Sequence, residues 1–307
     1  MTKPLAAMAA CMFATLRTAV VVLSLGAGAA FAEYRETVPV LRIGVVESHV
    51  GLTNPLKIQA VQQAFSKTLG IPVEIMRMRS YAALVDAHAS GRVGYAVHSA
   101  RSYAATAAAC GCVKPLRTPV ASDGSTGFRS VLVVRDGVTS SISELRIAYS
   151  NEDSVSGWQI PHQAMQAGSL DSPRLVRAGT VEATIELYGK GGADGFFGWV
   201  PDIPAAAGSD PSRLFGGWDW QATLENDPVR VIWSSQRIPY GPHAVHRSLP
   251  DDLVAALGEF LDQMPASAPG LLDIFEPFFA GGYVIADPQD YENLRGLVVT
   301  QSDSGNG

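Results

Sequence analysis

The chain has 307 residues, 47% of them apolar, with 29 acidic against 23 basic side chains and a formal charge of −6. That length exceeds what one compact core usually organises, so two lobes are expected rather than one. The acid excess removes any electrostatic case for nucleic acid or for an anionic lipid surface as partner.

Residues 1–32 read as an export leader. Lys3 and Arg17 precede a short apolar run over 19–25, no acid occurs before Glu33, and Ala30-Phe31-Ala32 forms a small-x-small cleavage site. The run is too short to span a bilayer, so cleavage after Ala32 is expected. The product is then a periplasmic protein without membrane insertion. Its loss removes two basic residues and no acid, which takes the formal charge from −6 to −8. No later stretch is long and apolar enough to be a span.

Residues 40–46 (VLRIGVV) predict a compact strand, and a polar loop over 47–55 carries His49. Residues 56–69 place Leu56, Ala60, Val61, Ala64, Phe65 and Leu69 at helical spacing, and Gly70 stops them. A strand over 71–78, a helix over 81–89, a strand over 93–98 and an Ala-rich helix over 100–109 follow. This rhythm predicts a parallel α/β sheet with right-handed crossovers. Cys110 and Cys112 can close a small loop in an oxidising compartment or remain two thiols. They lack the C-x-x-C spacing of a redox or metal site.

The pattern changes at 128–134 (FRSVLVV), a long apolar strand. A second α/β set then runs through a strand at 147–149, a helix ending at Gly168, a strand at 175–178, a helix at 181–188 and a strand at 195–200. Residues 229–234 (VRVIWS) form a second long apolar strand. Residues 244–246 are extended, helices follow at 250–264 and 269–279, and 301–307 is a polar tail expected to be disordered. The two isolated apolar strands are expected to carry the chain between the lobes and to act as the hinge.

The most informative stretch is IAYSNEDSVSGWQIP at 147–161. Ser150-Asn151 breaks the strand, Asp153 and Ser154 can cap a helix, and Ser154 and Ser156 set two hydroxyls beside open backbone amides. Such amides at the positive end of a helix attract anions, although the same residues also serve as an ordinary cap. Other constellations carry less. His243 and His246 point to opposite sides of a strand and make no zinc pair. Gly192, Gly195 and Gly198 do not form a dinucleotide turn, and Ser156 lacks a G-x-S-x-G elbow. No catalytic residue, metal or cofactor is therefore expected.

Several motifs in colinear order resemble the periplasmic substrate-binding proteins of phosphate/phosphite/phosphonate ABC importers. They are LRIGVV, LGIPVEI at 69–75, YAALVDAHASGRV at 81–93, YAVHSARSYA at 95–104, FRSVLVVRDG at 128–137, DSVSGWQIP at 153–161, VRVIWSSQRIPYGPHAVHRSLP at 229–250 and GGYVIADPQDYENLR at 281–295. The resemblance implies an α/β, two-lobed type II periplasmic-binding-protein fold, each lobe a mostly parallel sheet flanked by helices, with two hinge strands. Lobe 1 would comprise 38–130 and 236–300, and lobe 2 would comprise 131–235.

The resemblance further implies that the turn Ser154, Val155, Ser156, Gly157 grips the anion's oxygens, with Val155 where the family usually has Thr. Trp158 sits at a commonly aromatic position, Tyr103 matches a first-lobe tyrosine, and Ser99-Ala100 stands in for Gly-Pro. Trp199 and His49 complete the expected ligand-binding set, the two tryptophans having core packing as their alternative. Two family features are absent. Gly179-Thr180 is followed by Val181 rather than by a His, and Asp194 lies within the strand while Gly198 and Trp199 approach its end. Asp202 can partly replace the missing carboxylate.

The function so implied is non-catalytic capture of a small phosphonate- or phosphate-type organo-anion between the lobes, followed by delivery to an ABC permease in the inner membrane. The alternatives are a ligand-sensing module for a membrane receptor and a binding protein for a sulfonate or an ammonium-bearing compound. An enzyme on the same fold would have only His49 and His98 in the cleft loops to draw on.

Overall fold

The computed structural model describes residues 33–47, 50–152, 154–202 and 228–294. The expected leader and tail, and His49, lie outside these residues. In chain order the first block holds α1 (Glu33–Thr37), β1 (Leu41–Val46), α2 (Pro55–Leu69), β2 (Val73–Met78), α3 (Tyr81–Ala89), β3 (Tyr95–Val97), α4 (Ala100–Cys110) and β4 (Val113–Val120). The second holds β5 (Gly127–Arg135), β6 (Arg146–Tyr149), α5 (Ile160–Gln166), β7 (Arg174–Arg177), α6 (Val181–Gly189), β8 (Gly195–Pro201), β9 (Val229–Ser234) and β10 (Ile238–Pro239). The chain closes with β11 (His243–His246), α7 (Asp251–Ser267), α8 (Pro269–Phe275) and β12 (Gly282–Ile285), followed by a 3-10 turn over Pro288–Leu294. Among the described residues no helix is long and apolar enough to cross a membrane.

Two sheets result. The first runs β12-β4-β11-β3-β1-β2, so the closing segment returns to complete the block that began the chain. The second runs β10-β5-β8-β6-β7, with β9 also pairing β5. Within the first, β1 pairs in parallel with β2 and β3 and is almost wholly buried, which is why LRIGVV is a near-continuous apolar run rather than an alternating one. Helix α2 starts where the Asn54 side chain accepts from the Leu56 N–H at 2.8 Å, and it ends at Gly70, whose φ of 68° suits glycine. Its face of Val61, Phe65 and Leu69 is buried, and Phe65 meets Phe260 of α7 and Phe275 of α8 edge-on at 4.7 and 5.3 Å. Removing such a ring typically costs about 3–5 kcal/mol.

Strand β4 was not expected, since Pro115 and Pro119 argue against an interior strand. The pairing explains them. β11 borders only 113–117 and β12 only 117–120, so each half of β4 has an open side. At the end of α4, Cys110 and Cys112 are joined as a disulfide around Gly111, whose φ is 59°.

The two strands expected to carry the chain between the lobes do not do so. The strands at 128–134 and 229–234 pair with each other inside the second sheet, and Val131 to Val134 are buried there. The chain instead crosses between sheets at 121–126 and, after β10, at 240–242. These two crossings are fastened together. The Tyr240 N–H donates to the Thr126 carbonyl at 3.0 Å, the Arg237 guanidinium donates to Thr126 Oγ1 at 2.7 Å, and the Ser125 and Tyr240 hydroxyls lie 2.9 Å apart. Arg237 also pairs with Asp202 at the end of β8 (3.3 Å) and with Asp290 in the closing 3-10 turn (2.8 Å), so one side chain ties the two blocks.

Candidate functional site

The strand β6 ends at Tyr149, and the chain then makes one wide π turn over Val155–Gln159 before α5 begins. Ser154 organises that turn. Its Oγ accepts from the Gly157 N–H at 3.0 Å, and its carbonyl accepts from the Trp158 and Gln159 N–H groups, both at 3.0 Å. Behind it, the Ser130 hydroxyl donates to the Ser156 carbonyl at 2.6 Å and anchors the turn to β5. Position 157 must be small, because a Cβ there would lie 2.7 Å from Ser154 Oγ and 3.0 Å from Ser150 Oγ.

Ser150, Ser154, Ser156 and Gly157 face a small cavity of about 30 Å³ that Thr184 and Trp199 close from the other side. Ser150 is 4% exposed, and its Oγ has no hydrogen-bond partner among the described residues. A buried hydroxyl without a partner is unusual and points to something the site is built to receive.

A larger cleft of about 530 Å³ lies between the blocks. Its walls come from the first turns of α3 and α4, from the segment Ile238 to Gly241, and from Phe128 and Val155. Phe128 meets Trp199 edge-on at 5.8 Å, so a ring lining the larger cleft touches a ring lining the small cavity. Across this cleft Arg101 Nη1 donates to Gln159 Oε1 at 2.9 Å, and the Gln159 amide nitrogen donates to the Glu152 carbonyl at 3.3 Å.

The structure therefore brings together Ser154, Ser156, Gly157 and Trp199 at the small cavity, and Ser99 and Val155 at the larger one. Two expected residues are placed elsewhere. Tyr103 is 4% exposed in the core of the first block, edge-on to Tyr291 at 4.9 Å. Trp158 stacks on Tyr149 at 4.4 Å and on His162 at 4.8 Å, so its ring faces are occupied by protein rather than offered to the cleft. In both cases an aromatic ring near a helix start packs against a neighbouring ring.

The departures from the family pattern also resolve. Thr180 caps α6, and Val181 and Thr184 line the small cavity where a His was absent. Asp194 pairs bidentately with Arg146 where β6 and β8 begin, the opposite end of the strands from the serine turn. The Arg146 guanidinium holds its carboxyl below the usual range. Asp202 belongs to the crossing, where it accepts from Arg129 at 2.8 Å as well as pairing with Arg237.

Three histidines, His88, His98 and His243, are buried in the first block. His243 sits between the Tyr95 hydroxyl and Glu276, with Nε2 2.8 Å from the carboxylate. His98 lies 2.8 Å from His88 and 3.0 Å from Ser102 Oγ. Burial holds His98 well below the normal imidazole range and brings His88 down to about 3, with the neighbouring histidines adding to both shifts. Among the described residues no group of three or more His, Cys, Asp or Glu could hold a metal ion.

Ser150 and Arg101 were missed by sequence reasoning. Ser150 carries a detectable signal, since it is the hydroxyl nearest the end of β6, but it reads as a turn-former. Arg101 carries none, because nothing local tells which way the second residue of a helix points.

Two α/β blocks on paired crossings, with a cleft between them and a hydroxyl-rich turn at its edge, define a two-lobed solute-binding protein. The family model for ABC transporter, phosphonate, periplasmic substrate-binding proteins matches residues 55–291, and the chain belongs to that family. Among solved structures, XAC2383 from Xanthomonas citri bound to ATP is 17% identical with a TM-score of 0.61, covering 88% of this chain and 100% of that one. PhnD1 from Prochlorococcus marinus in complex with methylphosphonate is 16% identical with a TM-score of 0.51, covering 86% and 98%. At these identities both likenesses show the fold. No curated protein sequence matches the chain.

Proposed function

We propose that the protein captures a phosphonate- or phosphate-type organo-anion between its lobes in the periplasm and delivers it to an ABC permease, without catalysis. The observation that carries this reading is the buried, unpartnered Ser150 Oγ facing the same cavity as Ser154, Ser156 and Gly157. Oxyanion oxygens entering there would accept from Ser150 and Ser156 and meet the start of the π turn, where helix-type amides favour negative charge. Hydrogen bonds to a charged group are worth about 1.5–3 kcal/mol each, so two or three supply roughly 3–9 kcal/mol, and micromolar capture, at about 8 kcal/mol beyond the entropy of binding, needs contacts with the rest of the ligand as well. Arg101 supplies positive charge on the first-lobe side of the cleft. Lobe closure about the crossings at 121–126 and 240–242 would then be favoured by contacts the ligand makes to both sides.

Titration calorimetry with phosphate, phosphonates, phosphate monoesters and sulfonates tests this. At least one phosphorus oxyanion should bind, and Ser154→Ala should weaken it by an order of magnitude or more. Absence of heat with every phosphorus oxyanion would refute the reading.

A further inference from the structure

We infer that the anion this protein takes carries a bulky, uncharged and largely apolar body, aryl or branched alkyl, which occupies the 530 Å³ cleft beside the serine turn. The inference rests on the anion-binding reading above and adds the class of molecule to which the anionic group belongs.

Size comes first. The serine cavity, at about 30 Å³, has room for little more than one oxyanion group, whereas the adjoining cleft falls in the range of pockets that enclose ligands of drug size. One side chain bridges the two blocks across that volume. Arg101 already reaches Gln159 across the cleft at 2.9 Å, and Arg237 already joins Asp202 and Asp290 at the crossings. The hollow exists with the two blocks bridged.

Its chemistry comes second. Helices α3 and α4 present the small side chains of Ala82 and Ala105 to the cleft, which leaves the space rather than filling it. The opposite wall is formed by Phe128, Tyr240 and Ile238, and the Phe128 and Tyr240 rings lie 30° from parallel with centroids 6.1 Å apart. Phe128 also touches Trp199 of the serine cavity, so a body attached to an anion held by Ser150 and Ser156 would pass directly onto these rings. Arg101 lines the cleft, so a cationic tail would enter beside a like charge.

Titration calorimetry on the full exported chain with methylphosphonate, 2-aminoethylphosphonate, benzylphosphonate and 1-naphthylmethylphosphonate decides the matter. Affinity should rise on the order of tenfold or more from the methyl to the benzyl ligand, because a phenyl group leaves water, and the aminoethyl ligand should bind no better than the methyl one. Ala105→Phe and, as an independent variant, Ala82→Phe should each reduce the ratio of benzyl to methyl affinity by filling the hollow. A benzyl ligand bound no more tightly than methylphosphonate would overturn this inference while leaving the anion site standing, as would a ratio untouched in both variants. No binding by any of the four would overturn the inference together with the anion reading beneath it.

Discussion

Replacing Ser150 by alanine should move stability and affinity in opposite senses. The hydroxyl is buried and has no protein partner among the described residues, so in the free protein it can gain at most a bond to water in the adjoining cavity. Such a group costs about 1–3 kcal/mol. Its removal enlarges a cavity of about 30 Å³ by one oxygen, which forfeits a few tenths of a kcal/mol of dispersion contacts. The net expectation is a gain of up to about 2 kcal/mol, and a chain of this size shifts its melting temperature by roughly 2–4 °C per kcal/mol. Ligand binding loses one hydrogen bond to a charged group, about 1.5–3 kcal/mol, which is roughly ten- to a hundredfold in Kd. Thermal unfolding of the free protein and calorimetric titration of the same sample give both numbers. A variant that melts several degrees lower and binds as well as the parent would refute the reasoning, because Ser150 would then be bonded within the protein.

Ser154→Ala, by contrast, removes the cap accepted from the Gly157 N–H and should lower both stability, by about 1 kcal/mol, and affinity; chemical denaturation alongside titration checks this. Gly241→Ala would drive its Cβ into the His98 carbonyl oxygen, a backbone atom that cannot swing away, so a loss of 3 kcal/mol or more is expected, read as a shift in urea midpoint. Arg101→Gln should weaken anion binding by about 3- to 10-fold at low salt and flatten its salt dependence, since it deletes a cleft charge; titrations at two ionic strengths measure this. Acid should destabilise the protein through His88 and His98. Both are neutral when folded and have depressed pKa values, whereas the unfolded imidazoles titrate near 6.5. Their contribution is complete above about 6.5 and declines as pH falls from there toward about 3 for His88, at up to about 1.4 kcal/mol per pH unit for each histidine. Denaturation midpoints that stay flat between pH 6.5 and 4.5 would contradict it.

Much of the architecture is readable because local signals and tertiary needs agree. Helix α3 begins and ends where the Ser80 cap and the Ser90-Gly91 stop place it, and β9 is the VRVIWS run itself. Where they disagree, reading fails. β4 hides behind two prolines that only its half-by-half pairing makes harmless. The apolar strands at 128–134 and 229–234 look isolated in sequence, yet they pair with each other, a non-local fact that no window contains. At the site, the serine turn is legible because capping and anion binding use the same residues. Ring placement is not. Neither Trp199 in a strand nor Trp158 in a helix-opening turn reveals in sequence which lines the cavity and which stacks on Tyr149.

The second sheet is made from one continuous run of chain, whereas the first must wait for Val245 to pair with Tyr95 and for Tyr283 to pair with Pro119. As the chain emerges N-terminus first, the inner module is therefore complete while the outer one still lacks two strands. Until those strands arrive, β4 has neither of its neighbours, and its prolines keep that bare ribbon from recruiting another molecule.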